Sequence, residues 1–267
     1  DLKHGRVRAR QGDSRLLVTA EDKSDEAHGV AMIPAEKLER IREYALHMDW
    51  NVAFGGRSKG NRHLERTVKI ALSLSKRKDV REDIVAAGAW LHDVGLHLGN
   101  EAHCFSGARF IQPFLDELGL SQDDIERVTH CIEAHDGEVP ARTLEAKVVH
   151  DADTLDKMGP LGFVRHAWKI ANITDHHPSN LADEVEKHLP TRLEKMYLPE
   201  AKERAVALER ELRDVLADRE LLVRLTSLVA EGSRNGVPTE EIVAELVRSG
   251  SLPKSTLDIL QEQLDPR

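Results

Sequence analysis

The sequence predicts an all-α protein, and three observations support this fold class. Leu, Ala, Glu, Lys and Arg, which favour helices, recur throughout the chain, whereas aromatic residues make up only 4% of it. From residue 34 onward, apolar residues recur with a helical period. Proline and glycine residues stand at several points where these periodic segments begin or end.

The composition is ordinary for a globular protein. The 267 residues are 40% hydrophobic and 32% charged, and the formal net charge is −9 with a pI near 5.9. This net negative charge argues against non-specific binding to nucleic acid. No apolar run approaches the length of a membrane span, and Cys104 and Cys131 are too few for a disulfide framework. We expect a soluble, cytoplasmic protein without a membrane partner, and the charge disfavours a nucleic-acid partner while a local basic pocket stays open as an alternative.

The first segment, residues 1–33, is polar and irregular. Its one strand-like stretch is RLLVTA, so an arm or a short hairpin is expected there. A helix follows from Pro34, with Leu38, Ile41 and Ala45 on its apolar side. The next stretch, DWNVAFGGRSKGN, is typical of a glycine-rich loop.

The next two helices carry chemically notable residues. In HLERTVKIALSLSKRK, His63 lies on the same stripe as Ile70 and Leu74. The following helix contains IVAAGAWL, which is apolar or small at every position and therefore predicts a buried helix. That helix ends in His92 and Asp93.

The remaining segments also have helical patterns. SGARFIQPFLDELG has Gly119 as its stop, and the next helix begins with Ser121 and Asp124 in a capping-box arrangement. TLEAKVVHDADTLDKMGP and LGFVRHAWKIAN complete a series that ends near residue 174. Long charged helices are expected from about residue 181 to 229, and a proline opens each of the two shorter helices that follow.

Asp93, at the end of a buried helix, needs a partner because an uncompensated buried carboxylate is costly. One interpretation is a hydrogen bond to a neighbouring helix, with His92 filling core space. A lone histidine such as His63 is likewise more often a core residue than a ligand. The alternative is a cation shared between helices. It gains support from three residues that KVVHDADTLDKMG places on one helix face: His150, Asp153 and Asp156. Mixed imidazole and carboxylate ligands suit Mn, Fe, Co, Ni or Zn, and Mg less well.

The order His63, His92-Asp93, Asp153 resembles the H…HD…D signature of the HD-domain metal-dependent phosphohydrolases. The similarity covers roughly residues 38–175 and includes NRHLERTVKIALSL, AAGAWLHDVGL and TLEAKVVHDADTLDKMG. This last stretch and HCIEAHDGEVP are most similar to the small HD nucleotide pyrophosphatases and phosphatases. The fold of that family is an all-α bundle, in agreement with the helical pattern.

The resemblance implies that four residues bind one divalent metal: His63, His92, Asp93 and Asp153. Asp153 matches the family's A-D-x-L position. The metal would lower the pKa of a bound water and polarise a phosphoryl oxygen, which makes Asp93 a catalytic residue as well as a ligand. The implied substrate is a small phosphorylated molecule such as a nucleotide, and basic groups should surround its phosphates. The candidates are Arg66 and Lys157, each one helical turn after an implied ligand, and Arg165 or His166; a solvated helix face is the alternative for each.

Three further residues extend the implied site. His103 and His135 fall where two-metal members of the superfamily place additional histidine ligands, so they are expected to bind a second metal or to contact phosphate. Glu101 is a candidate general acid or base, with a surface-loop glutamate as the alternative. The chain lacks the GYP element of the HD-GYP phosphodiesterases and the Glu-Asp pair of the guanosine tetraphosphate hydrolases. Thr154 stands where the small pyrophosphatases usually have arginine, which leaves the substrate preference open.

The expected organisation is an N-terminal arm (1–33), an HD phosphohydrolase domain (34–178) and a C-terminal helical extension (179–267). We expect the extension to mediate homo-oligomerisation, with a lid or a docking surface as alternatives. The leading function is cleavage of a phosphate ester or phosphoanhydride of a nucleotide or related small molecule by metal-activated water. Two alternatives are an HD-type di-iron oxygenase with His103 and His135 on a second iron, and a non-catalytic metal- or ligand-binding regulatory module.

Overall fold

The computed structural model describes residues 32–76, 79–173, 178–187, 189 and 192–265. The predicted N-terminal arm, including RLLVTA, lies outside the described residues. Within them the chain consists of helices and turns without a β-strand, which confirms the all-α prediction.

The described residues form twelve α-helices. Six of them precede residue 157: α1 (Ala35–His47), α2 (His63–Ser75), α3 (Glu82–Leu91), α4 (His103–Glu117), α5 (Gln122–Ala134) and α6 (Leu144–Asp156). Six follow: α7 (Gly159–Ile173), α8 (Pro178–Lys187), α9 (Pro199–Ala217), α10 (Arg219–Arg234), α11 (Thr239–Ser249) and α12 (Lys254–Leu264). The predicted glycine-rich loop between α1 and α2 forms a π-helical turn and two 3-10 turns.

Local sequence signals account for several helix ends. Ser121 caps α5 by accepting a hydrogen bond from the backbone N–H of Asp124, as the capping-box pattern predicts. Thr143 caps α6 in the same way. Gly119, two residues after the end of α4, has φ of 67°, a left-handed conformation that favours glycine.

Helix α3 is the central element of the first core. It contacts α1, α2, α5 and α6, which surround it. Its Ile84, Val85 and Leu91 are fully buried, as its apolar sequence predicts. The residues that follow α3, His92 and Asp93, are therefore held in the interior where four helices meet.

A second core lies around α7, which contacts α8, α9, α10, α11 and α12. Trp168 of α7 is almost fully buried in this core. The first residues of α9, including Ala201 and Ala205, pack in the first core instead. Helix α7, placed by the sequence analysis in the HD domain (34–178), thus packs mainly with the C-terminal helices. The segment boundaries themselves stay predictions.

None of the helices in the described ranges is long and apolar enough to cross a membrane.

A buried carboxylate of α3, that of Asp83, binds the backbone of the segment before α1. Asp83 accepts hydrogen bonds from the backbone N–H of Ile33 at 2.7 Å and from Arg81, whose Nη2 also reaches Asp124 at 2.9 Å. Burial opposes the charged form of Asp83, but the bonds from Arg81 and Ile33 outweigh it and hold the pKa of Asp83 below its usual value.

We expect Asp83→Asn to lower the free energy of unfolding by about 2 kcal/mol at pH 7, because charged hydrogen bonds to a buried group are lost. A depressed pKa stabilises the fold above the unfolded pKa near 4 and loses that contribution as the pH falls through the folded value. Urea unfolding from pH 7 to 3 should therefore show the difference shrinking below about pH 4. Asp123→Asn, which breaks an exposed ion pair with Arg127, is the control. A constant difference across this range would contradict the assignment.

Candidate metal centre

His63 enters the interior as the first residue of α2. The preceding residue, Arg62, has a left-handed backbone (φ 52°) that turns the chain into the helix. The His63 ring is buried, and its Nδ1 donates a hydrogen bond to Asp156 Oδ2 at 2.6 Å. Its Nε2 faces Asp153 Oδ1 at 3.0 Å. The bond to Asp156 puts the proton on Nδ1 and leaves the lone pair of Nε2 directed at the interior.

His92 and Asp93 meet His63 from the end of α3. His92 is fully buried and donates from Nδ1 to the carbonyl oxygen of Ala89 at 2.8 Å. Because a carbonyl oxygen only accepts, the Nε2 of His92 also carries a lone pair in the neutral ring. The two Nε2 atoms of His63 and His92 lie 3.2 Å apart. Two nitrogens at this distance need a proton or a metal ion between them. Burial opposes the proton, but Asp93 and Asp153 outweigh it and raise the pKa of His92 to about 10.

Four donor atoms form this first donor set: His63 Nε2, His92 Nε2, Asp93 Oδ2 and Asp153 Oδ1. Asp153 Oδ1 is 3.5 Å from His92 Nε2, and Asp93 Oδ2 is 3.7 Å and 3.5 Å from the two histidines. Metal–ligand distances of about 2.0–2.2 Å place neighbouring ligand atoms about 2.8–3.6 Å apart in tetrahedral or octahedral coordination. The separations of 3.0–3.5 Å lie in this range, and the 3.7 Å between Asp93 Oδ2 and His63 Nε2 lies just above it, so the chemistry and the spacing of these donors fit a divalent metal.

A second donor set shares Asp93 with the first. His103 at the start of α4 and His135 at the end of α5 have their Nε2 atoms 3.1 Å apart. These atoms lie 3.4 Å and 3.5 Å from Asp93 Oδ1, the carboxylate oxygen not used by the first set. Each ring again directs its Nδ1 at a backbone carbonyl, of Asn100 and Ile132 respectively. The Asp93 carboxylate thus lies between two pairs of histidines, as a bridging ligand would.

Electrostatics keep the carboxylates of this cluster charged. Burial would raise the pKa of Asp93, but His92, His103 and His135 hold it well below its usual range. Burial likewise opposes the charge on Asp153, and Lys157, His63 and His92 hold its pKa well below its usual range. Anionic oxygens facing imidazole nitrogens are the form that binds divalent transition metals.

Cationic side chains line one side of the first donor set. Lys157 Nζ lies 2.5 Å from Asp153 Oδ2. Arg165 is only 3% exposed, and its Nε makes no hydrogen bond within the described residues, with Asp156 Oδ2 as an ion-pair partner at 3.4 Å. Lys169, one turn further along α7, lies over the ring of Phe54 at 4.6 Å.

The positive charges of this cationic wall (Lys157, Arg165 and Lys169) affect one another and the neighbouring His166. Burial and then Arg165 lower the pKa of Lys169 to about 8. Burial, followed by Arg165, Arg192, Lys169 and Lys157, lowers the pKa of His166 to about 2. Cations concentrated beside a metal-binding cluster favour an anionic ligand there.

Two of the predicted site residues lie elsewhere. Arg66 is 2% exposed, and its guanidinium binds Asp156 and Glu240, so no contact among the described residues supports its predicted role beside a substrate phosphate. Glu101 is exposed in the turn before α4 and makes no hydrogen bond or ion pair with either donor set in the described part of the chain. Its catalytic role stays a prediction without a contact that supports it. His150, placed by the sequence on the face of Asp153, instead contacts the backbone carbonyls of Ala134 and Lys195.

Sequence reasoning missed three residues near the centre. Asp156 was noted on the face of Asp153 but given no role, and it is the partner of His63 Nδ1. Lys169 had the appearance of an ordinary helical lysine. Asp49 belongs to the predicted loop; burial raises its pKa to about 6, and it accepts a hydrogen bond from Ser58 Oγ at 2.9 Å. No periodicity marks Asp49, because the turns that place it are set by tertiary contacts.

Residues 61–158 match the family model of the HD domain. Among curated proteins, ribonuclease Y of Acidothermus cellulolyticus is 34% identical over 97 residues, which are 35% of this chain and 18% of that protein. The bifunctional uridylyltransferase/uridylyl-removing enzyme of Mycobacterium tuberculosis is 35% identical over 75 residues, which are 28% of this chain and 9% of that protein. The chain thus spans less than a fifth of the length of these relatives.

Solved structures share the fold. Bacillus subtilis YpgQ superposes with a TM-score of 0.52 at 20% identity, over 68% of this chain and 92% of that one. A Lactobacillus plantarum protein superposes with a TM-score of 0.55 at 22% identity, over 70% of this chain and 96% of that one. The matched residues 61–158 contain both donor sets and the helices α2–α6 that carry them. Residues 61–158 of the chain thus match an HD domain and contain the candidate metal centre.

Proposed function

We propose that this protein is a metal-dependent phosphohydrolase that cleaves a phosphate ester or phosphoanhydride of a nucleotide or related small molecule. The observation that carries the proposal is the Asp93 carboxylate, with one oxygen towards the pair His63 and His92 and the other towards His103 and His135. Such a doubly shared carboxylate suits two metal ions that act on one substrate.

The residues fall into two groups by role. His63, His92, Asp93 and Asp153 would hold one ion, and His103 and His135, with Asp93, a second. A divalent metal bound there supplies an acidified water and a Lewis acid for a phosphoryl oxygen. The ligand types suit Mn, Fe, Co, Ni or Zn, and manganese is the ion that we propose to test first.

The cationic wall supports a phosphorylated substrate. Catalysis of phosphoryl transfer depends mainly on positioning and on stabilising negative charge. The Arg165 Nε is buried and makes no hydrogen bond within the described residues, so it has a donor available for a phosphate oxygen. The charge of Lys169 interacts with the charges of Arg165 and Asp93, and we expect Lys169 to orient a second phosphate oxygen.

A nucleotide is the substrate class we favour. YpgQ, which shares the fold, has been crystallised in complex with ADP. The net charge of −9 speaks against a long polyanion such as RNA. An RNA oligonucleotide nevertheless belongs in the test, because one relative is named a ribonuclease.

A di-iron oxygenase is the second candidate, and one observation favours it: both His103 and His135 reach Asp93, as that chemistry requires. Iron that co-purifies with visible absorbance, together with oxygen consumption, would identify this activity. A non-catalytic binding module is the third reading, and ligand binding without turnover would identify it.

The test is product release from nucleoside mono-, di- and triphosphates, generic phosphate esters and an RNA oligonucleotide. Each is assayed after metal removal and after addition of Mn, Mg, Co, Ni or Zn. We expect turnover of a nucleotide that depends on added metal. Absence of hydrolysis under every metal would contradict the proposal.

Lys169→Gln tests the cationic wall. We expect kcat/KM for the hydrolysed nucleotide to fall roughly 10- to 100-fold, since a charged hydrogen bond to phosphate contributes about 1.5–3 kcal/mol. Metal affinity should not change, because Lys169 contacts neither donor set. Lys202→Gln, on the exposed side of α9, makes the same change away from the site. An unaltered kcat/KM in Lys169→Gln would remove this residue from the substrate site.

A further inference from the structure

A continuous series of charged contacts joins the metal centre to helix α11, outside the residues that match the HD domain. We propose that Glu240 of α11 is a positioning residue for the metal ligand His63, acting through Arg66 and Asp156, so that the C-terminal helices complete the site. The proposal rests on the metal centre proposed above. It assigns a role to a part of the chain that the HD resemblance leaves unexplained.

The first contact fixes the ligand. Asp156 Oδ2 accepts a hydrogen bond from His63 Nδ1 at 2.6 Å, and both side chains are buried. A carboxylate on the distal nitrogen of a metal-binding histidine fixes the tautomer and the ring orientation and increases the basicity of the other nitrogen. The Nε2 of His63 therefore depends on the position and charge of Asp156.

The second contact fixes that carboxylate. Arg66 Nε and Nη2 bind the two oxygens of Asp156 at 2.7 Å and 3.2 Å, which makes a two-point contact. Arg165 lies 3.4 Å from Asp156 Oδ2 as well, so one buried carboxylate faces two guanidinium groups. A second anion beside Arg66 therefore offsets part of this buried positive charge.

Glu240 provides that anion. Its Oε1 accepts a hydrogen bond from Arg66 Nη1 at 2.7 Å, and its Oε2 lies 3.8 Å from Arg62 Nε. Without Glu240, Arg66 would interact more strongly with Asp156. The hydrogen bond from His63 Nδ1 to Asp156 would then be weaker. The Glu240 side chain is 26% exposed, so solvent reduces the expected effect without removing it.

The docking of α11 determines whether Glu240 reaches Arg66. Glu240 is in the first turn of α11, after Pro238 at its N-cap. Two and three residues later, Ile242 and Val243 are buried in the second core against α7 and α10. The packing of the C-terminal helices therefore holds the carboxylate in place, 174 residues along the chain from its partner.

The experiment measures binding of Mn²⁺ alone to the full chain, stripped of metal, by isothermal titration calorimetry. Loss of an outer-shell partner of a metal ligand costs roughly 10- to 100-fold in affinity, and Glu240 is one contact further out. We expect Glu240→Gln to weaken Mn²⁺ binding about 3- to 10-fold. Glu241→Gln, on the exposed side of the same turn, makes the same charge change and should leave the affinity as in the wild type.

A spectroscopic readout separates positioning from general destabilisation. With Co²⁺ bound, the visible absorption bands should shift in Glu240→Gln but not in Glu241→Gln, because the donor strength of His63 changes. A structural role alone would lower the unfolding temperature and leave these bands and the Mn²⁺ affinity unchanged.

Each outcome has a definite reading. The positioning role is overturned if Glu240→Gln and Glu240→Ala, which also removes the hydrogen bond, both fold and both keep the wild-type affinity and spectrum. If Glu240→Ala does not fold, Glu240→Gln decides by itself, since its amide keeps the shape and an acceptor oxygen. If the wild type binds neither Mn²⁺ nor Co²⁺, both the metal centre and the positioning role of Glu240 are overturned. If the wild type binds metal and the variants behave like it, only the positioning role is overturned.

Discussion

Asp93→Ala is expected to abolish metal-dependent hydrolysis and to empty both donor sets at once. One carboxylate oxygen of Asp93 lies within 3.7 Å of His63 and His92, and the other lies within 3.5 Å of His103 and His135. Loss of a mere outer-shell group costs roughly 10- to 100-fold in metal affinity or activity, so removal of a shared ligand should exceed about 100-fold in kcat/KM. Metal content by atomic absorption and steady-state turnover measure the two effects.

Asp214→Ala is the matched control for Asp93→Ala. Asp214 is exposed on α9, so its removal changes the net charge equally and leaves the cluster intact. We expect wild-type turnover and metal content in this control. If Asp93→Ala retained both, the active site would have to lie elsewhere in the molecule.

Gly95→Ala has the largest expected effect on stability. Gly95 lies in the 3-10 turn that follows the His92-Asp93 pair, and this turn packs backbone to backbone against α4. A Cβ at Gly95 would lie 2.0 Å from the carbonyl oxygen of His103 and 2.7 Å from the backbone nitrogen of Gly107. Backbone atoms cannot move aside as a flexible side chain can, so α4 itself would have to shift.

We expect Gly95→Ala to destabilise the protein by at least about 3 kcal/mol, the upper part of the range for overpacking. Because His103 begins α4, the displaced helix should also disturb the second donor set more than the first. Urea unfolding and the stoichiometry of bound Mn²⁺ test these two statements. Gly232→Ala is the control, since its new Cβ meets the flexible tip of Ile242 at 2.8 Å. Equal effects of the two substitutions would show that the close approach at Gly95 is unimportant.

The helices could be predicted because their signals lie in short segments of the sequence. Helical periodicity, proline at helix starts and the Ser121 cap are properties of short segments, and the structure confirms an all-α chain with helices at these places. The apolar run before His92 predicted a buried helix, because apolar side chains on every side of a helix need packing partners on every side. In the structure, four helices surround α3. Segments such as RLLVTA lie outside the described residues.

The candidate metal ligands were also accessible from sequence. Histidine and aspartate at the inward positions of buried helices are rare without a partner, and their order along the chain resembles that of a known family. The structure brings His63, His92, Asp93 and Asp153 to within ligand distance of one another. Their role as ligands is the proposal that the Mn²⁺ and Co²⁺ experiments test.

The roles of the surrounding charges depended on tertiary structure. Arg66 follows His63 by three residues, which suggested a substrate contact, yet it points to Asp156 and to Glu240, 174 residues away. Periodicity shows which face of a helix is inward but not which distant helix packs there. Helical periodicity and the order of histidine and aspartate residues along the chain therefore determined the all-α class and the candidate ligands. Only the tertiary packing determined that Arg66 contacts Asp156 and Glu240 and that Arg165 lies beside Asp156, because those contacts join residues that no local pattern relates.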